Sequence, residues 1–227
     1  MTEKKKKHVI KEEPLTYDDY AKLPSDGVRY ELVDGILQAM TPAPHPIHQL
    51  VNQELGFHLK ETCHGEYIIF SAPIDLILSE KEVRQPDLLM VHRERLDIVT
   101  KRGIEGKPDL VVEILSPTSM KRDRLDKLKT YAAYNIPEYW LIDPIQKFLE
   151  QYRLEKERYE LRALYVEDEI VTSDYISCVA FSSPIFLLTF QTFPICKETH
   201  HLIQGYTKIH PRKYSKTICV IGNPIYR

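Results

Sequence analysis

Long apolar runs are missing from this 227-residue chain: nowhere does it approach the roughly 18 consecutive apolar residues that a membrane helix needs. Its charged beginning is not followed by the apolar core of a signal peptide, so the expectation is a soluble, cytoplasmic protein with no membrane association. Cysteine is scarce. Cys63, Cys178, Cys196 and Cys219 are far apart and give no Cys-x-x-Cys or other zinc-type spacing, which leaves reduced thiols as the default. The formal net charge of -2 excludes a globally basic polyanion binder, so any nucleic-acid contact must come from a local patch. With only eight glycines, the chain carries no phosphate-binding glycine loop, and no Gly-x-Ser-x-Gly context supports a serine nucleophile.

What is present is acid inside apolar strand-like runs. Pro86-Asp87-Leu88-Leu89-Met90-Val91 and Pro108-Asp109-Leu110-Val111-Val112-Glu113-Ile114-Leu115-Ser116 both place carboxylates where burial is expected. An ionised carboxylate is costly there unless it is paired or bound to a cation. A basic stretch follows at residues 121–129, leading into Tyr131 and Tyr134. Two acids on adjacent strands with a lysine nearby can make a magnesium-dependent phosphodiester-cleaving site.

The length suits one main domain. Thr16, with Asp19 three residues on, caps a short expected helix that ends at Pro24. Residues 28–33 and 36–40 flank Asp34-Gly35, a strong two-residue hairpin signal that puts Glu31 on a strand. Ile47, Leu50, Val51, Leu55 and Leu59 have helical spacing, whereas residues 67–78 read as a strand broken or bulged near Pro73. The charged segment 92–107, with Gly103 and Gly106, reads as a loop holding at most a short helix. A helix over 121–134 stops before Ile136-Pro137, a buried strand spans 139–142, and residues 148–154 and 158–165 form an antiparallel hairpin. This order gives a mixed sheet flanked by helices, in the α/β to α+β range. The division is a charged, disordered tail over 1–13, a domain over 14–182 and an atypical basic extension over 183–227. That extension holds a single acid, Glu198, against six Lys and Arg residues.

On a strand, alternate residues share a face, so Asp109, Val111 and Glu113 point one way. If the strand bearing Asp87 pairs beside this one, Asp87 and Glu113 converge on one cation. Magnesium suits such a place, since it takes a few carboxylate oxygens and completes its shell with water and phosphate. The lysine is Lys127 or Lys129, roughly 200° apart around the helix and therefore unable to share a role. Each residue also has a plainer reading. Asp87 and Asp109 follow proline and can be turn chemistry, a helical lysine is usually solvated, and His48 can be a capping or packing residue. Glu113 is hardest to dismiss, because it interrupts a central-strand pattern.

The segments Leu15-Thr16-Tyr17-Asp18-Asp19-Tyr20, Tyr30-Glu31-Leu32-Val33-Asp34-Gly35, Pro86-Asp87-Leu88 and Pro108-Asp109-Leu110-Val111-Val112-Glu113-Ile114-Leu115-Ser116-Pro117-Thr118-Ser119, together with residues 41–48 and 127–143, resemble the Uma-type "putative restriction endonuclease" family of the PD-(D/E)XK nuclease superfamily. The resemblance runs from about residue 15 to residue 181. It implies a restriction-endonuclease-like core, with a mixed central sheet between helices, and a Mg2+-dependent (Mn2+ also suits) endonuclease acting on DNA. By the same resemblance, Asp87 and Glu113 match the catalytic acids and Lys127 a lysine moved to the helix. Glu31 and His48 match further site members, Glu31 reaching the metal through water. Leu115 stands where the superfamily pattern has its lysine. A homodimer fits two-strand cleavage. The alternative is a catalytically inactive DNA-binding or assembly protein retaining the fold.

Overall fold

A computed structural model describes residues 13–24, 27–40, 46–116, 122–166 and 169–182, with the backbone alone at 122–124. The chain divides into the units Met1–Thr192 and Phe193–Arg227, and every described residue belongs to the first. Residues 1–12 of the charged N-terminal stretch, residues 41–45, the segment Pro117-Thr118-Ser119 and the extension over 183–227 lie outside the described residues. The fold is a mixed α+β arrangement, in keeping with the expected class.

Six strands make the central sheet. In chain order they are β3 (Tyr67–Ser71), β6 (Leu88–His92), β8 (Leu110–Ile114), β9 (Glu138–Asp143), β10 (Phe148–Glu155) and β11 (Arg158–Val166). Their spatial order is β11-β10-β9-β8-β6-β3, antiparallel throughout except for the parallel pair β8 and β9. A parallel pair needs a crossover connection, and helix α3 (Arg122–Ala133) supplies it. A smaller sheet of order β2-β1-β5-β4-β7 is built from β1 (Tyr30–Val33), β2 (Ile36–Ala39), β4 (Leu76–Ser79), β5 (Glu82–Arg84) and β7 (Ile104–Glu105).

The central strands are buried on both faces, so they read as continuous apolar runs. Leu88, Met90, Leu110, Val112, Ile114 and Trp140 face helix α2 (Pro46–Cys63), whose Val51, Leu55 and Leu59 fill that side. Leu89, Val91, Val111, Leu115, Tyr139 and Leu141 face the other way and pack on Tyr131 of α3 and on Leu76 and Ile104 of the smaller sheet. Glu113 alternates with Val111 and Leu115 and therefore lies under α3.

Local chemistry explains the boundaries. Helix α1 (Tyr17–Tyr20) starts where the Asp19 carboxylate accepts the Thr16 backbone N–H at 2.9 Å, and it stops short of the expected end at Pro24. The β1–β2 turn has φ of 51° at Asp34 and 76° at Gly35, the left-handed conformations a two-residue hairpin requires. A side chain on Gly35 would also meet Pro14 Cβ at 2.4 Å. Residues 67–78 divide into β3 and β4 around the cis Ala72–Pro73 peptide. Segment 92–107 carries a 3-10 helix (Arg93–Ile98) and the two-residue β7.

Two features depart from the expectations. Strand β5 and the pair β12 (Ile170–Thr172) and β13 (Ala180–Ser182) were not anticipated; each strand is three residues long, too short for a periodic signal. Cys63 and Cys178 are joined by a disulfide, with Cα atoms 5.2 Å apart and a sequence separation of 115. That corrects the expectation of reduced thiols for this pair, because spacing along the chain cannot report which cysteines the fold brings together. Among the described residues no helix is long and apolar enough to cross a membrane.

Candidate active site

The β6–β8 register pairs Leu88 with Val112, and one further step along it sets Asp87 opposite Glu113. Asp87 Oδ2 accepts the Ile114 backbone N–H at 2.7 Å, which fixes the carboxylate at the end of the ladder. His48 Nε2 lies 3.2 Å from the same oxygen. His48 belongs to the buried stripe of α2 that continues through Val51, Asn52, Leu55 and Leu59, so helical periodicity turns it inward. The first turn of α2 thus reaches the carboxylate that immediately precedes β6.

Glu113 is engaged from α3. Its Oε2 accepts Lys127 Nζ at 2.8 Å and its Oε1 accepts the Tyr131 hydroxyl at 2.7 Å. Lys127 and Tyr131 are four residues apart and so share one helix face. This resolves the choice between the two lysines: Lys127 points into the cluster, whereas Lys129 is exposed. Lys127 Nζ also lies 3.8 Å from Glu31 Oε1. Glu31 is buried on β1, accepts the Gln85 backbone N–H at 3.0 Å, and lies 3.5 Å from Arg84 Nη1.

These contacts form a chain of alternating charge, Glu82, Arg84, Glu31, Lys127, Glu113, with Asp87 and His48 beside its last member. Burial pushes the Glu113 carboxyl up to about 7, with Asp87 and Glu31 adding to the rise and Lys127 opposing it. Burial also works against charge on Lys127, but Glu113 and Glu31 more than offset it and its pKa is raised. For Glu31 the burial effect is outweighed by Lys127, the Gln85 amide and Arg84, so its pKa is lowered. Burial lowers His48, yet the Asp87 hydrogen bond and the charges of Asp87 and Glu113 leave it raised. Within this cluster Glu113 is therefore the acid whose surroundings resist its charge.

The five sequence-derived candidates, Glu31, His48, Asp87, Glu113 and Lys127, thus fall in one connected cluster. Asp109 does not join it. Its Oδ2 accepts the His92 N–H and its Oδ1 accepts Arg95 Nη1, each at 2.7 Å, at the opposite end of β8. Sequence reasoning missed Glu82, Arg84 and Thr130; the faint signal was the charged-apolar-charged triplet Glu82-Val83-Arg84. Among the described residues no group of three or more His, Cys, Asp or Glu side chains is arranged to hold a metal ion. Asp87 and Glu113 stand opposite each other one step beyond the Leu88–Val112 pair. A groove of about 360 Å3 opens beside Glu31 and Lys127, lined also by Asp34, Arg84, Asp126, Lys129 and Thr130 but by neither Asp87 nor Glu113.

The chain matches the Uma2 family, described as "Putative restriction endonuclease", over residues 17–179. The chain belongs to this family. The Uma2 match covers all five clustered residues. Among solved structures, a protein from Anabaena variabilis ATCC 29413, described as a putative nuclease belonging to DUF820, is similar to it with a TM-score of 0.63. The two are 21% identical, and the similarity covers 77% of this chain and 98% of the other. That likeness extends to the fold. No curated protein matches the chain.

Proposed function

We propose that this Uma2 protein is a metal-dependent endonuclease that hydrolyses phosphodiester bonds of DNA, with Asp87, Glu113 and Lys127 at its centre. The observation that carries the reading is the meeting of Asp87 and Glu113 across β6 and β8 with a half-buried lysine on Glu113. Burial first, then Asp87 and Glu31, raise the proton affinity of Glu113 against the pull of Lys127, and a divalent cation would offset both the burial and the repulsion.

The donor set fits Mg2+, and Mn2+ as a substitute. Hard carboxylate oxygens from two residues are the usual protein share of such a site, with water and phosphate completing the shell, so a closed three-ligand cluster is not required. Asp87 and Glu113 would hold the ion, with Glu31 acting through water. When bound, Mg2+ supplies Lewis-acid polarisation of the phosphate and a more acidic water. The chain's own groups do the rest. Tyr131 and the Ile114 amide hold Glu113 and Asp87 in place, and His48 keeps Asp87 oriented. Lys127 orients the attacking water or donates to the phosphate oxygens as negative charge builds on them. The groove beside Lys127 receives the strand being cut, with Lys129 on its rim. Cutting both strands calls for two such sites, so a homodimer on DNA belongs to this reading, as does a cytoplasmic setting.

The test is incubation of the full chain with double-stranded DNA, single-stranded DNA and RNA of one sequence, with Mg2+, Mn2+, Ca2+ or EDTA. Titration calorimetry of Mn2+ into wild type and Asp87→Asn runs alongside. DNA products in Mg2+ and Mn2+ only, with cation binding weakened in Asp87→Asn, are the expected result. A folded wild type that neither cuts nor binds a cation would make the chain a non-catalytic DNA-binding or assembly protein.

A further inference from the structure

Arg84 has no role in the scheme above, yet its guanidinium is 4% exposed and spends all three nitrogens on three different elements. Nε donates to Glu82 Oε1 on its own strand at 2.5 Å, Nη1 to Glu31 Oε2 on β1 at 3.5 Å, and Nη2 to Thr130 Oγ1 on α3 at 3.2 Å. Glu82 continues the connection, because its Oε2 accepts the Asp34 backbone N–H in the hairpin turn at 2.9 Å. Arg84 and Glu31 are also cross-strand neighbours, one step from the Leu32–Val83 pair of β1 and β5. Thr130 lies three residues after Lys127 and so within one turn of it on α3.

Lys127 has two carboxylates within reach, Glu113 at 2.8 Å and Glu31 at 3.8 Å. What decides between them is how much of the charge on Glu31 is already answered. We infer that Arg84 is a positioning residue: by neutralising Glu31 and bracing α3 through Thr130, it leaves Lys127 on Glu113. Without the guanidinium, Glu31 keeps only Lys127 as a cation and draws it away from Glu113, while α3 loses its tie to the smaller sheet. Lysine at position 84 keeps the charge but not the planar fork, so it cannot serve three partners at once.

The kinetic part of this inference rests on the nuclease reading, and the spectroscopic part does not. Arg84→Gln, Arg84→Lys and Thr130→Val are compared with wild type after circular dichroism confirms folding. The 15Nζ resonance of Lys127 is followed in metal-free protein, assigned by its loss in Lys127→Arg. The resonance should move in all three variants, most in Arg84→Gln. In Mg2+, kcat should fall roughly 10- to 100-fold in Arg84→Gln with KM near the wild-type value, because misplacing a catalytic group by about 1 Å costs on that order. Arg84→Lys should fall between Arg84→Gln and wild type. Should Arg84→Gln not fold, Thr130→Val, which deletes only the contact to α3, carries the test. An unmoved Lys127 resonance in a folded variant, or a loss seen in KM alone, overturns the positioning role. A moved resonance in a wild type that cuts nothing upholds the positioning role and overturns the nuclease reading instead.

Discussion

Strand β8 offers a comparison within a single element, since it begins beside one buried acid and carries another near its end. Asp109, 4% exposed, is answered by a backbone amide and by Arg95, and both contacts tie the 3-10 helix to the sheet. Glu113, 7% exposed, is answered by Lys127 and Tyr131, but it also feels Asp87 and Glu31. Both acids are buried and both accept two hydrogen bonds, so neither burial nor pairing distinguishes a working carboxylate from a structural one. The distinction is whether other carboxylates converge on the same space. Glu138 belongs with Asp109 in this respect: its oxygens accept Trp140 Nε1, Gln151 Nε2 and Ser173 Oγ, all neutral donors that secure the start of β9.

The strongest break of this comparison is on the Glu113 side. Lys127→Met keeps the bulk of the side chain and removes its charge, and cleavage should fall about 10²- to 10³-fold, as when a single charge-stabilising donor is lost. Initial rates under saturating DNA check it. On the Asp109 side the cost should appear as stability. Asp109→Ala leaves the His92 amide and Arg95 without their acceptor, and chemical denaturation should show a loss of about 1.5–3 kcal/mol, the range for hydrogen bonds to a charged group.

The pH dependence sharpens the difference. A folded pKa raised above the usual carboxylate value gives stability that is fully present below that value and is lost as pH rises through about 7. Metal-free wild type should therefore lose thermal stability between about pH 5 and about pH 8 relative to Glu113→Gln, whose amide does not titrate. His48 shifts upward as well and acts in the same direction, and because Glu113 contributes to that rise, Glu113→Gln reduces it too. Thermal melts of the two proteins across that range are the measurement, and parallel curves would sink the assignment. The smallest effect belongs to Lys129→Ala, an exposed position where stability should change by no more than about 0.5 kcal/mol. A loss of cleavage as large as that of Lys127→Met would reverse the assignment of the two lysines.

Much of this was legible in the sequence, for identifiable reasons. Asp34-Gly35 announced the β1–β2 hairpin because its dihedrals admit few other residues. Glu113 announced itself as a charge inside Val111-Val112-Glu113-Ile114-Leu115. Residue reasoning reached His48 and the pair Lys127 and Lys129, and the family resemblance chose Lys127, since a helical histidine or lysine is ordinarily solvated or simply packed. The structure adds the contacts that decide, including the four-residue spacing that lets Lys127 and Tyr131 reach one carboxylate. Arg84 and Glu82 stayed hidden, because a three-residue strand has no periodicity and their partners Glu31, Asp34 and Thr130 lie about 50 residues away in either direction. The Cys63–Cys178 bond was hidden for the same reason. Asp109 looked like a site residue because alternation reports the face of a strand, not the end at which a side chain stands.

The most direct test sets the two acids of β8 against each other in Mg2+-dependent DNA cleavage, with Glu113→Gln and Asp109→Ala assayed beside wild type at a temperature where all three are folded. Cleavage abolished in Glu113→Gln and kept in Asp109→Ala is the result expected from a cluster formed by Asp87, Glu113 and Lys127. Equal loss in both variants, or undiminished cutting by Glu113→Gln, would contradict it.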